Sequence, residues 1–177
     1  MDRMRINAWM NRASSGDVAA YGELADAVQD ELFRLALSLG LRREDAIEVT
    51  QETLTRAFAC LAAWKPGSDA LAWLCGIAVN VVRENKRRRS RDQLWQQQPN
   101  PPSPSHPSLE ADQLQHLAAA LDKLPPRQRE AIACRYLRHM SIRETALAMG
   151  CAEGTVKSAV AAALKQLHQL LEPQHET

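Results

Sequence analysis

Apolar residues recur at three- and four-residue spacing along most of the chain, and β-branched runs bounded by turn signals are missing. The pattern predicts an all-α protein. Its first part reads as helices over 3–12, 18–39 and 44–64, and a fourth from Ala70 into an arginine-rich stretch. Ser14-Ser15-Gly16-Asp17 supplies a turn and an N-cap, Gly40 a C-terminal stop, and Lys65-Pro66-Gly67-Ser68-Asp69 a break. The later part reads as helices over 109–124, 127–138, 141–149 and 153–171. Pro125-Pro126 interrupts the first two, and Ser141 with Glu144 forms a capping box.

One segment cannot hold a helix. Gln96 to Pro107 is polar and carries Pro99, Pro101, Pro102, Pro104 and Pro107, which lack an N–H and restrain the residue before them. A semi-rigid linker over 93–108 is expected, dividing a helical domain over 1–92 from a second over 109–177.

The composition agrees with helices: aromatics are 5%, glycines number 7, and Ala, Leu, Gln, Arg and Glu dominate. The net charge of +1 averages an uneven chain. Arg83, Lys86, Arg87, Arg88, Arg89 and Arg91 face one acid, Glu84, whereas Asp45, Glu48 and Glu52 make an acidic stretch. Opposite local charges suggest two partners. Cys60, Cys75, Cys134 and Cys151 form no C-x-x-C pair and lack histidines at ligand spacing, so buried thiols are expected and neither metal nor cofactor. There is no phosphate loop, no H-E-x-x-H and no nucleophile with a paired base, so an enzyme is not expected. No apolar run reaches membrane-spanning length and no apolar segment follows the first residues, which reads as a cytoplasmic protein without membrane insertion.

Three helix faces carry candidate chemistry. On the last helix Val156, Val160, Ala163, Leu167 and Leu170 form one stripe; Ser158, Ala162, Lys165 and Gln169 lie opposite, with Thr155 and Lys157 near its start. A capped short helix, a glycine turn and an amphipathic helix make a helix-turn-helix, whose second helix enters the major groove; a plain helical hairpin with a solvated polar face fits the same spacing. On the fourth helix Leu71, Leu74, Ala78, Val81 and Val82 form the apolar arc, while Asn80, Arg83 and Arg87 lie opposite. Cations hold phosphates and an amide can pair a base edge, so this face suits nucleic acid or is a solvated basic helix end. On the third helix Ile47, Leu54, Phe58 and Leu61 are expected in the core. Asp45, Glu48, Glu52 and Thr55 lie on a neighbouring face that repels DNA and suits a basic protein, or is merely solvated.

Five pieces in series resemble the extracytoplasmic-function (ECF) sigma factors, which have only sigma regions two and four. They are Ala46-Ile47-Glu48-Val49-Thr50-Gln51-Glu52, Trp73 through Asn80, Leu121 through Glu130, Ser141 through Ala146, and Gly154-Thr155-Val156-Lys157-Ser158. The resemblance covers nearly the whole chain. It implies a bacterial alternative sigma factor that binds core RNA polymerase, through the β′ clamp helices and the β flap, and directs it to promoter DNA. It implies polymerase contacts at Asp45, Glu48, Gln51 and Glu52. It places Lys65, Ser68, Asn80, Arg83, Lys86 and Arg87 on the −10 element, and Arg143, Thr155, Lys157, Ser158 and Lys165 on the −35 element. An anti-sigma factor is a further implied partner. The chain departs from the family at Ile47, where an acid is usual, at Ala152, where a serine commonly caps, and at Ala159, Ala162 and Leu164, where arginines are common. A helix-turn-helix regulator and a helical interaction adaptor remain alternatives.

Overall fold

The computed structural model describes residues 2–96, 117 and 119–171. Among them every regular element is helical: α1 (Arg3–Ser14), α2 (Val18–Ser38), α3 (Arg43–Ala59), a 3-10 turn (Leu61–Ala63), α4 (Ala70–Gln96), α5 (Pro126–Ile132) continuing as a π-turn (Ala133–Leu137), α6 (Ile142–Met149) and α7 (Glu153–Leu171). The expected linker and the start of the helix over 109–124 fall largely outside the described residues; 119–122 are helical.

Local chemistry places the ends as expected. Asp17 accepts the Ala20 N–H to start α2, and Gly40 takes φ 82° beyond its end. Ser141 and Glu144 cap each other's backbone N–H groups, and Gly150 closes α6 at φ 62°. The third helix is shorter than expected, ending at Ala59 before the 3-10 turn.

α1–α4 enclose a core built on Met10, Leu24, Val28, Leu32, Leu35, Val49, Leu74 and Val79, all fully buried. The apolar arc expected for α4 is buried throughout. The phase expected for α3 holds only in part: Leu54 and Leu61 pack against the core, and Ile47 and Phe58 do not join it. Ile47 is 42% and Phe58 46% exposed, and Leu54 and Leu61 are half-buried. The buried stripe is Ala46, Val49, Thr50, Thr53 and Ala57. Thr50 and Thr53 satisfy their hydroxyls on the carbonyls of Ala46 and Val49 at 2.7 and 2.6 Å, so they pack as small apolar residues. Phe58 instead lies over Tyr21, ring centroids 5.0 Å apart.

The C-terminal helices do not stand apart. Ala133, Cys134, Met140 and Ala148 join the core of α1–α4. α6 crosses α4 at Gly76, where a Cβ would stand 3.3 Å from the Ala148 Cα; glycine allows this approach. α6 and α7 form the helix-turn-helix around Ala146, Met149 and Val156, with Val160 half-buried. Ala163 and Leu167 pack on Leu124 and Ile132, while Leu170, expected in the core, is 37% exposed.

Candidate functional site

On α3, Glu48, Gln51, Glu52 and Thr55 form an exposed stripe. Asp45 is not part of it. It is 4% exposed and receives Arg42 at 3.3 Å and the Arg89 guanidinium from α4. The reason is tertiary: the carboxylate turns inward toward α4, where Arg89 neutralises it. Glu52 is tied to Arg56 at 2.6 Å, and Arg56 bridges on to Glu84 of α4 at 2.6 Å. Hydrogen bonds from Arg56 to these two carboxylates raise its already high pKa, so it stays charged at any working pH. Within the stripe, Glu48 and Gln51 are exposed and take no ion pair among the described residues, whereas Glu52 is partly neutralised. The groove between α3 and α4 is lined by Glu48, Glu52 and Arg56 from α3 and by Glu84, Arg87 and Arg91 from α4.

The face of α4 that carries Asn80 and Arg87 is exposed, but the other two cations are held. Arg83 donates from Nε and Nη2 to the two oxygens of Glu130 at 2.9 and 2.6 Å, and from Nη2 to the Met149 carbonyl at 3.1 Å. Its side chain is 19% exposed and that of Glu130 8%. Lys86 donates to the Leu39 carbonyl at 2.6 Å, and burial pushes its pKa down. The loop before α4 exposes Lys65 and Ser68, while Asp69 accepts the Ala72 N–H at 2.7 Å and caps the helix. Trp73 packs edge-on against Trp64, centroids 5.9 Å apart, which makes it largely structural.

In the helix-turn-helix, Arg143, Thr155, Lys157, Ser158 and Lys165 are all exposed or half-exposed. The Ser158 hydroxyl is turned onto the Thr155 carbonyl at 3.0 Å. Between Ser158 and Lys165 the exposed residues of α7 are Ala161, Ala162 and Leu164, the last 44% exposed. Two of the four thiols behave as expected: Cys75 and Cys134 are buried, and burial raises both pKa values, that of Cys134 to about 12. Cys60 is exposed, contrary to expectation, and Cys151 is intermediate. No cluster able to hold a metal ion occurs among the described residues, and none of their helices is long and apolar enough to cross a membrane.

Two family models match: Sigma-70 region 2 over residues 24–92 and Sigma-70 region 4 over residues 114–167. The ECF RNA polymerase sigma factor EcfG of Rhodopseudomonas palustris is 34% identical over 164 residues, covering 84% of this chain and 87% of the relative. The chain belongs to the ECF RNA polymerase sigma factors. SigE of Mycolicibacterium smegmatis is also 34% identical, over 89% of this chain but only 65% of its own length. Among solved structures, the sigma factor RpoE in complex with the anti-sigma factor NepR from Bartonella quintana superposes with a TM-score of 0.76 at 30% identity, over 88% of this chain and 98% of that one. CnrH in complex with the cytosolic domain of CnrY gives 0.74 at 25% identity, over 95% and 97%.

The residues to which neither spacing nor family pattern gave a role in this sigma factor are the counter-ions. Arg89 for Asp45, Arg56 for Glu84, Arg3 for Glu144 and Glu130 for Arg83 answer charges that no local spacing pairs with them. Glu130 ends the motif that begins at Leu121, yet no periodicity argument links it to a residue 47 positions earlier.

Proposed function

We propose that the chain binds core RNA polymerase through Glu48, Gln51 and Glu52 and brings it to promoters as a cytoplasmic, non-enzymatic initiation factor. The division is into a polymerase- and −10-binding part over 1–92, a linker over 93–108 and a −35-binding part over 109–177. The observation that carries the reading is the juxtaposition of an exposed acidic stripe on α3 with the exposed Asn80 and Arg87 face of α4, on a chain matched by sigma-70 regions 2 and 4. An acidic stripe suits basic clamp helices, and the α4 cations with Lys65 and Ser68 suit an opened strand. The resemblance implies that the loop from Lys65 to Asp69 captures a base flipped out of that strand, and flipping costs a few kcal/mol, which a pocket must offset. Asp45 is left out of the contact set because it is buried.

Arg143, Thr155, Lys157, Ser158 and Lys165 serve the −35 element. Ala161, Ala162 and Leu164 beside them offer phosphates no charge, so −35 recognition is weak and the chain relies more on the −10 element and on polymerase. Because the neighbouring fold occurs with an anti-sigma factor, such a partner is proposed here too.

The deciding experiment is run-off transcription with core polymerase and a cognate promoter, alongside co-purification. Glu48→Arg is expected to abolish core binding while helix content is retained; unchanged affinity would remove the assigned face. Randomising the −35 element is expected to reduce transcription modestly, and a hundredfold loss would reject the weak-recognition reading.

A further inference from the structure

The loop from Lys65 to Asp69 is held at both ends by one helix. Arg3, Asn7 and Asn11 recur at four-residue spacing and so share one face of α1. Asn11 Oδ1 accepts the indole N–H of Trp64 at 3.1 Å, one residue before the loop begins. Asn7 Oδ1 accepts the Ala70 N–H at 2.8 Å, one residue after it ends. Arg3 donates to one Asp69 oxygen at 3.2 Å, while the other oxygen caps α4 through the Ala72 N–H at 2.7 Å. Between these anchors Lys65, Pro66, Gly67 and Ser68 are all exposed, and Gly67 takes φ 85°. The tip is open to a ligand, while its two ends are tied to α1.

The residues that α1 buries in the core are Ile6, Met10 and Ala13, so its packing does not depend on the two amides. The Ala70 N–H is one of the first donors of α4, which have no partner within their own helix. Here a side chain 63 positions earlier takes it. Trp64 is 5% exposed and lies edge-on to Trp73, so the Asn11 bond fixes the ring from which the loop departs. Capturing a flipped base already has an unstacking cost. A loop ordered only on binding would add its own loss of conformational entropy, and a loop set beforehand avoids it. We propose that the Arg3, Asn7 and Asn11 face of α1 positions the Lys65–Asp69 loop, so that the loop meets a flipped −10 base already in its binding shape. This rests on the assignment of that loop to base capture. The three are positioning residues that act through the loop's ends. Arg3 also reaches Glu144 of α6 at 2.7 Å, so the two asparagines give the cleaner test.

The test uses holoenzyme reconstituted from the full chain and core polymerase. The probe is a fluorescein-labelled fork-junction DNA whose non-template strand is single-stranded through the −10 element, with an abasic site moved along it one position at a time. The abasic penalty is the ratio of Kd for the abasic probe to Kd for the intact one. Wild-type holoenzyme is expected to show a large penalty at the captured position. Asn7→Ala combined with Asn11→Ala should bind the intact probe about tenfold more weakly and the abasic probe as the wild type does, so the penalty falls by the same factor. Asn7→Asp combined with Asn11→Asp keeps an acceptor oxygen at each place and should restore the penalty. Circular dichroism checks that helix content is retained. Should the double alanine variant not fold, Asn11→Ala alone reads the same ratio, with a drop of roughly threefold.

Equal weakening on the intact and abasic probes would make α1 a support of the fold alone and overturn the proposal. An unchanged penalty in the alanine variants, or one that the aspartates do not restore, would overturn it too. Lys65→Ala combined with Ser68→Ala separates this failure from failure of the loop assignment. If that loop variant loses the penalty while the α1 variants keep it, the loop captures the base and only the positioning by α1 is removed. If the wild type shows no penalty at any position, or the loop variant keeps it, the assignment is removed and the proposal with it.

Discussion

Asp45 gives the sharpest test of whether a residue on the α3 acidic run acts through polymerase or through the fold. Asp45→Asn keeps the shape and removes the charge that Arg42 and Arg89 share. Its side chain is 5% exposed, whereas those of Arg89 and Arg42 are 31% and 46% exposed. Breaking a fully buried pair costs about 3–5 kcal/mol, because the remaining charge is stranded. Here both arginines reach water after the change, so the loss approaches that of a charge-assisted hydrogen bond, about 1.5–3 kcal/mol. For a chain of this size a loss of about 2 kcal/mol lowers Tm by roughly 4–8 °C. With a urea slope of about 2 kcal/mol per molar, it moves the midpoint by roughly 1 M. Urea unfolding followed by circular dichroism measures this, and core-polymerase affinity is measured below the transition. The expected outcome is a marked loss of stability with affinity kept, the reverse of Glu48→Arg on the exposed stripe. A variant as stable as the wild type that no longer bound polymerase would refute the reasoning and return Asp45 to the contact surface.

Three further outcomes follow from named contacts. Ser141→Ala removes one half of the capping box on α6 and should lower stability by about 1 kcal/mol, read as a shift of the urea midpoint at unchanged slope. Tyr21→Phe removes the hydroxyl that donates to the Leu54 carbonyl and should cost about 1 kcal/mol in the same assay. Burial lifts the Tyr21 pKa to about 12, so its contribution is complete below the ordinary tyrosine value and is lost as pH rises toward 12; an alkaline limb of the stability curve as steep in Tyr21→Phe as in the wild type would contradict this. Burial would raise the Glu144 pKa, but the Ser141 N–H and hydroxyl together with Arg3 outweigh it and hold the carboxyl below the usual carboxylate range. Its stabilisation is present above that range and lost as pH falls through the depressed value, and the acid limb should flatten in Glu144→Gln.

Much of the architecture was legible along the chain because it depends on near neighbours. The caps at Asp17 and Ser141, the stop at Gly150 and the apolar arc of α4 are local hydrogen bonds and a helical period, and each is found where spacing puts it. The buried stripe of α3 departs from its largest residues for a physical reason. Its large residues, Ile47 and Phe58, look like a core stripe, but the helix packs closely on α2 and α4 and so buries its small ones. Threonines 50 and 53 satisfy their own hydroxyls and fill that stripe, which hydrophobicity alone does not register. The candidate site was legible to the extent that it consists of exposed residues on one helix, as for Glu48, Gln51, Asn80 and Arg87.

By itself the sequence determined the helices, their caps, the family and the two oppositely charged faces, all of which follow from contacts within a few residues or from motifs in order. Only the tertiary structure decided which charges are free. Asp45 meets Arg89 from 44 positions away, and Arg83 meets Glu130 from 47. A charge acts on whatever lies within a few ångströms of it, and that neighbour is chosen by how the helices pack.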